Sequence, residues 1–281
     1  MDQLDVTSSI RFVNDSWKTT PGIPRIDSGA ERRANTTFQD VRILNARPLQ
    51  ERGELDLDTN GFVLVNHKTA VEDFTDHEAV ETTYFGEIST LLKSVTGADA
   101  VIPFNYLVRT EDRVNNWANA YARYVHLDYN EVEAVALMRS LAVRRGYFED
   151  PLLDDYGYHG PLDGLPRHMA MYNAWQPIEQ EVQRNPLTLI DAQSLGDDDL
   201  VDYIIQGAVG ALPVCNPNQR LYYFPRMQTD ELIFFKQMDT RPGHARCCPH
   251  TSFDDPNSPE NPLGRRSIET RYVALFEKPS A

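Results

Sequence analysis

The 281-residue sequence predicts a mainly β fold, a sandwich or barrel with helices flanking its outside. Three observations carry that class. Helix spacing is confined to 80–96, 131–145 and a short stretch at 198–207. The second half places strand-like runs close together, at 169–175, 186–191, 221–225, 231–237 and 267–277. No internal repeat, low-complexity tract or linker divides the chain. The expected organisation is an N-terminal arm over 1–40 and one domain over 41–281.

The elements follow in order. Residues 1–40 are polar and carry Pro21, Gly22 and Pro24, which suits an arm lying on the surface or a loose tail. Val41-Arg42-Ile43-Leu44 is a short strand, and Glu51-Arg52-Gly53-Glu54 a turn. Asn60-Gly61 is a strong turn pair, and Phe62-Val63-Leu64-Val65 follows it as a strand. In 80–96, Tyr84, Ile88, Leu91, Leu92 and Val95 recur at spacings of three and four, and Gly97 ends the helix. Val101-Ile102-Pro103-Phe104 reads as an edge strand, since proline cannot donate to a ladder.

Residues 115–123 read as an Asn-rich loop, and Tyr124 to Tyr129 as a strand. Glu131 to Arg145 is rich in helix formers and is closed by Gly146. The Gly- and Pro-rich stretch 147–167 is a long connection of the kind that serves as a lid. Asp197-Asp198-Asp199 suits a helix N-terminus, so 198–207 is expected to be helical.

Composition narrows the function classes. Hydrophobic residues are 41% of the chain, enough for a real core. Lys plus Arg is 27 against 42 Asp plus Glu, a formal charge of −15, which disfavours nucleic acid and anionic membrane as partners. An anionic small molecule is still compatible, because one or two buried arginines can hold it. No apolar run reaches the roughly 18–20 residues of a membrane span. The N-terminus starts acidic and shows no signal peptide. Cys215, Cys247 and Cys248 are an odd, sparse set, as expected in a reducing cytoplasmic setting.

His126-Leu127-Asp128 carries the first chemical signal. On a strand, residues i and i+2 share a face, so an imidazole and a carboxylate stand side by side. A mononuclear Fe(II) site needs one further ligand, which leaves three coordination positions open. His67, His77, His159, His168 and His244 lie in polar stretches, loops or a turn, where an ordinary surface histidine is expected. His250 instead lies late in the chain, before the final strand, where a jelly-roll barrel brings a distal ligand beside the His-x-Asp strand.

On that final strand Arg265, Ser267, Glu269 and Arg271 share one face. Arg265-x-Ser267 would offer a guanidinium fork and a neutral donor to the far carboxylate of a dicarboxylate. Alone, Arg265 and Arg266 are also what the solvated face of an acidic protein carries. Two His and one carboxylate suit a zinc hydrolase as well, or a metal-binding barrel without catalysis. The hydrolase reading lacks a general base and leaves Arg265-x-Ser267 unexplained.

The order His-x-Asp, His, Arg-x-Ser resembles the Fe(II)/2-oxoglutarate-dependent dioxygenases. More narrowly, the chain resembles the family of the aspergillic-acid hydroxylase/desaturase, the fungal gibberellin desaturase and the cephamycin 7α-hydroxylase component. The matching stretches are Leu55 to Phe62, Val125 to Tyr129, Met171 to Ile178 and Pro186 to Ser194. They continue through Tyr222 to Met227, Asp230 to Leu232, Pro249 to Pro256 and Arg265 to Arg271. They span about residues 40–277.

The resemblance implies a double-stranded β-helix (jelly-roll, cupin-like) core, with 130–167 as a helical and loop insert. It implies Fe(II) held by His126, Asp128 and His250, with 2-oxoglutarate and O2 as co-substrates. Arg265 and Ser267 would hold 2-oxoglutarate, with Arg271 a second candidate. The outcome would be hydroxylation, desaturation or cyclisation at a C–H bond of a small molecule, an amino acid or natural-product intermediate of secondary metabolism. Tyr172, Asn173 and Trp175 are candidate substrate contacts. The chain departs from the family at Gln176 and Arg266, where Arg and Glu are usual.

Overall fold

A computed structural model describes residues 5–110, 123–150, 153–154, 157–158, 166–196 and 198–277. β1 (Val6–Val13) opens it, and helix α1 (Gly29–Asn35) leads into β2 (Thr36–Asn45). α2 (Arg47–Glu51) and β3 (Phe62–Asn66) follow, then a short helix α3 (His77–Ala79) and a wide π-helical stretch Val80–Tyr84. These run into α4 (Phe85–Thr96), which Gly97 stops in a left-handed conformation (φ 68°). β4 (Ala100–Thr110) carries Pro103 and lies at a sheet edge, as its proline requires.

α5 (Glu131–Arg144) is capped by the Asn130 side chain, which accepts from the Glu133 N–H at 2.9 Å. A two-residue pair, β5 (Leu153–Asp154) and β6 (Gly157–Tyr158), precedes β7 (His168–Pro177) and β8 (Leu187–Ile190). Then come β9 (Leu200–Ile205), β10 (Ala208–Pro213), β11 (Leu221–Tyr223) and β12 (Glu231–Asp239). β13 (His250–Ser252) and β14 (Arg266–Phe276) complete the order. The expected loop 115–123 lies, up to residue 122, outside the described residues, as do most of 147–165 and His159.

Two five-stranded sheets face each other, β1-β2-β11-β8-β13 and β3-β12-β7-β14-β4, with helices against them. This is the jelly-roll architecture. Trp175, Ile233 and Phe235 pack between the sheets against Leu187, Leu189, Tyr222 and Phe224. On the other face of the second sheet, Ala170, Tyr172, Ala174 and Phe234 pack on Tyr84, Ile88 and Leu92 of the helical stretch. Odd residues of β7 therefore face inward and even ones outward, the period-two rule of a strand. Ala134, Val135, Met138 and Ala142 of α5 close one end of the inner space over Met169, Met171, Val273 and Leu275.

Two expectations are corrected. The stretch 198–207 is a hairpin, β9 paired with β10, and not a helix. Gln206 (φ 50°) and Gly207 (φ 84°) form a two-residue turn with both residues left-handed, which matches the twist of paired strands. Asp199 caps no helix; its carboxylate accepts from the Gly196 N–H and from Asn216 and Gln219. Residues 6–13 are also no loose tail. β1 pairs with β2 from Val6↔Ile43 to Val13↔Thr36 and buries Ile10 and Phe12.

The expected strand 124–129 is a series of single bridges, because successive residues pair with different partners. Val125 N–H donates to the Arg11 carbonyl (3.0 Å), and Leu127 N–H to the Ala211 carbonyl (2.8 Å). Between them His126 and His250 exchange two backbone hydrogen bonds, each 3.0 Å.

Candidate metal centre

The backbone pairing builds the site. Residues directly opposed across an antiparallel pair project side chains to the same face. The His126 and His250 rings accordingly lie 4.5 Å apart, centroid to centroid, and the Phe235 ring backs His250 at 4.6 Å. Asp128, two residues after His126, points the same way, with its Oδ1 3.5 Å from His126 Nε2. Ligand atoms of His126, Asp128 and His250 all lie within 4.8 Å of one another, and among the described residues no other group of three potential ligands does so.

Each donor is prepared. His126 Nδ1 donates to the Tyr124 carbonyl at 2.9 Å, which leaves the Nε2 lone pair facing the cluster. Burial, aided by the neighbouring His126, holds His250 well below the usual imidazole range, so it is neutral and able to ligate. Burial alone would push the Asp128 carboxyl up, but Arg271, His126 and His250 together hold it well below the ordinary carboxylate range. These are the protonation states that a divalent cation requires.

The surroundings of Asp128 were only partly expected. Asn173 Nδ2 donates to Asp128 Oδ2 (2.9 Å), so Asn173 does face the site. Arg271 Nε donates to the same oxygen at 2.8 Å, and its Nη2 to Glu269 Oε1 at 2.7 Å. Asp128 N–H is fixed by Gln237 Oε1 (2.9 Å). Gln237 lay in no sequence motif, and Glu269 lay in the matching stretch Arg265 to Arg271 without a role. Only the shared strand face of Glu269 with Arg265, Ser267 and Arg271 hinted at it.

Arg265 lies further along the inner wall, 2% exposed, with its guanidinium carbon 5.6 Å from the Trp175 ring centroid. Its Nη1 donates to the Asn185 carbonyl (2.6 Å) and to Ser252 Oγ (2.5 Å). Ser252 is two residues after His250 on β13, hence on the same face and about 7 Å along. Ser267 is fully buried, and its Oγ has no partner among the described residues.

Other candidates do not join the cluster. Tyr172 packs on the outer face with Tyr84, and its hydroxyl accepts from Arg241 Nη2 (3.2 Å), so it is not a substrate contact. Adjacent strand residues point to opposite faces, and Asn173 holds the inner one. Trp175, Tyr222 and Phe224 are inward, whereas Tyr223 packs on Phe253 outside. Gln176 also points outward; it accepts from Tyr84 Oη (2.7 Å) and donates to the His67 and Thr229 carbonyls. His67, His77 and His244 contact Gln176, Tyr106 and Asp58 respectively, away from the centre.

The chain as a whole is similar to known proteins. A family model described as an oxidoreductase/YMDC permease-like domain matches residues 14–275. The hydroxylase/desaturase efuI of Hormonema carpetanum is 30% identical, over 89% of this chain and 91% of its own. An alpha-ketoglutarate-dependent dioxygenase, phiK, of a fungal species is 29% identical, covering 87% of this chain and 86% of its own. A solved structure of the iron and alpha-ketoglutarate-dependent endoperoxidase NvfI superposes with a TM-score of 0.79 at 25% identity, over 99% of this chain and all of that one.

Proposed function

The chain belongs to this family of Fe(II)/2-oxoglutarate-dependent oxidoreductases, and we propose that it oxidises a C–H bond of a natural-product small molecule at the centre built by His126, Asp128 and His250. It is a dioxygenase that uses Fe(II), 2-oxoglutarate and O2. The carrying observation is a largely buried cluster of two imidazoles and one carboxylate, with a buried arginine one strand step away. Bound Fe(II), with 2-oxoglutarate and O2, supplies the oxidant that removes a hydrogen atom from the substrate, with succinate and CO2 as by-products.

The protein's own residues do the rest. His126 Nε2, Asp128 Oδ1 and His250 hold the metal. Arg265 and Ser267 take the far carboxylate of 2-oxoglutarate. The step from His250 to Ser252, about 7 Å, matches the reach of a five-carbon dicarboxylate. Trp175 lines that end, with its ring centroid 5.6 Å from the guanidinium carbon, a cation–π distance. Arg271, already bonded to Asp128 and Glu269, is assigned away from the co-substrate.

All of these residues fall in 41–281, which we read as the catalytic domain, its first sheet widened by β1. The zinc-hydrolase alternative fares worse: Glu269, the second carboxylate near the cluster, is engaged by Arg271 and Asn173 and not poised as a general base. No helix among the described residues is long and apolar enough to cross a membrane. The free cysteines favour a reducing, cytoplasmic setting.

The test is an anaerobic spectrum. Fe(II) plus 2-oxoglutarate should give a weak visible charge-transfer band in the wild type. His126→Ala should lose the band and the turnover while retaining its fold. Normal turnover by His126→Ala, or no band in the wild type, would overturn the proposal.

A further inference from the structure

A carboxylate can donate one oxygen or two to a metal. The chemistry proposed above needs three open positions, two for 2-oxoglutarate and one for O2. A bidentate Asp128 would take one of them. A second carboxylate entering the centre would do the same, and Glu269, 3% exposed, is close enough to share two donors with Asp128.

Arg271 and Asn173 each reach both acids, and Arg109 Nε stands 3.8 Å from the other oxygen of Glu269. Arg271 Nε reaches Asp128 Oδ2 at 2.8 Å, and Arg271 Nη2 reaches Glu269 Oε1 at 2.7 Å. Asn173 Nδ2 bridges the same two oxygens, at 2.9 and 3.0 Å. Its amide must be turned this way, because its oxygen would face two anions otherwise. Asp128 Oδ2 thus accepts two hydrogen bonds, one of them charge-assisted. Oδ1 is the oxygen left beside His126 Nε2. The main chain of Asp128 is anchored separately, its N–H donating to Gln237 Oε1 at 2.9 Å.

We propose that Arg271, with Asn173, is a positioning device that restricts Asp128 to a single metal-facing oxygen and withholds Glu269 from the metal, keeping the co-substrate positions open. This rests on the function proposed above. It also accounts for a guanidinium buried beside a cation site, where its charge opposes metal binding. The site accepts weaker metal affinity in return for a free coordination position.

The experiment uses the full-length protein with Mn(II), read by EPR or calorimetry, and then 2-oxoglutarate added to the Mn(II) form. Arg271→Leu removes the opposing charge and the charge-assisted bond to each acid, leaving Asp128 Oδ2 with the uncharged Asn173 donor. Mn(II) should bind about tenfold tighter or more, and 2-oxoglutarate about tenfold weaker, because a protein oxygen now competes for its place. Arg271→Lys, a point charge that cannot fork to both acids, should fall between the wild type and Arg271→Leu on both readouts.

Should Arg271→Leu fail to fold, the double variant Arg271→Leu/Glu269→Gln removes one charge of each sign. It should still show weakened 2-oxoglutarate binding, since Asp128 Oδ2 again keeps only its uncharged Asn173 donor. A purely structural arginine would lower the melting temperature and weaken both ligands together, or leave both unchanged. Either pattern overturns the inference. Failure of the underlying function is distinct: the wild-type Mn(II) protein would then show no response to 2-oxoglutarate at all.

Discussion

Replacing Arg265 with alanine tests how the co-substrate is gripped. Arg265 is 2% exposed, and its Nη1 is held at 2.6 Å by the Asn185 carbonyl and at 2.5 Å by Ser252 Oγ, both neutral acceptors. A charge-assisted hydrogen bond contributes about 1.5–3 kcal/mol. Since about 1.4 kcal/mol is tenfold in affinity, Arg265→Ala should raise the 2-oxoglutarate dissociation constant by roughly tenfold to a hundredfold. The assay is a 2-oxoglutarate titration of the anaerobic Fe(II) protein, followed in the visible band. Mn(II) affinity should stay within about twofold, because Arg265 contacts Ser252 and Asn185 and none of the three ligands. This separates it from Arg271, whose replacement moves both constants. Arg265→Lys should recover part of the loss, as a point charge cannot match the fork. Unchanged 2-oxoglutarate affinity in a folded Arg265→Ala protein would refute the reasoning.

Two further outcomes concern stability. Gln176→Leu leaves the Tyr84 hydroxyl and the His67 and Thr229 carbonyls buried without their partner. It should cost about 3 kcal/mol, roughly 6–12 °C in Tm for a chain of this size, with 2-oxoglutarate affinity unchanged. A changed affinity at unchanged Tm would place Gln176 in the site after all. Asp58 is part of a surface-edge cluster with Lys236 and Arg241. Partial burial pushes its carboxyl up, but Lys236, Arg241 and His244 outweigh this and hold it below its ordinary 3.8. A carboxyl depressed in the folded state stabilises fully above its unfolded value and loses that contribution as pH falls below it. Asp58→Asn should therefore lower Tm at neutral pH and flatten the fall in Tm below about pH 4. Parallel Tm-against-pH curves for the two proteins would contradict this.

What the sequence could and could not convey follows from which distances it encodes. His126 and Asp128 share a face because a strand repeats every two residues, and that rule needs no knowledge of neighbours. The same rule grouped Arg265, Ser267, Glu269 and Arg271. It failed at Tyr172 because residues 169–177 of β7 are buried on both faces, so the alternation that would mark the inner one is erased. It failed at 198–207 because a turn of Gln206 and Gly207 lacks the Asn-Gly or Asp-Gly signature, and the preceding acids mimic a helix start. β1 escaped notice because inward Ser8 breaks its apolar pattern; its hydroxyl donates to the Asp254 carbonyl, a partner far along the chain.

The role of Arg271 was ambiguous for a deeper reason. A guanidinium on an inner strand face suits an incoming dicarboxylate and a resident one equally well. Choosing between them needs cross-strand register, here Arg271↔Asn173 in β14 and β7, together with a partner 143 positions away in sequence. The register sets Asn173 opposite Arg271, so one amide and one guanidinium meet the same two acids. Shifting β14 by one residue would turn Arg271 outward and leave Asp128 without its cation. The specificity of the centre therefore depends on the pairing of β7 with β14 as much as on the three ligands themselves.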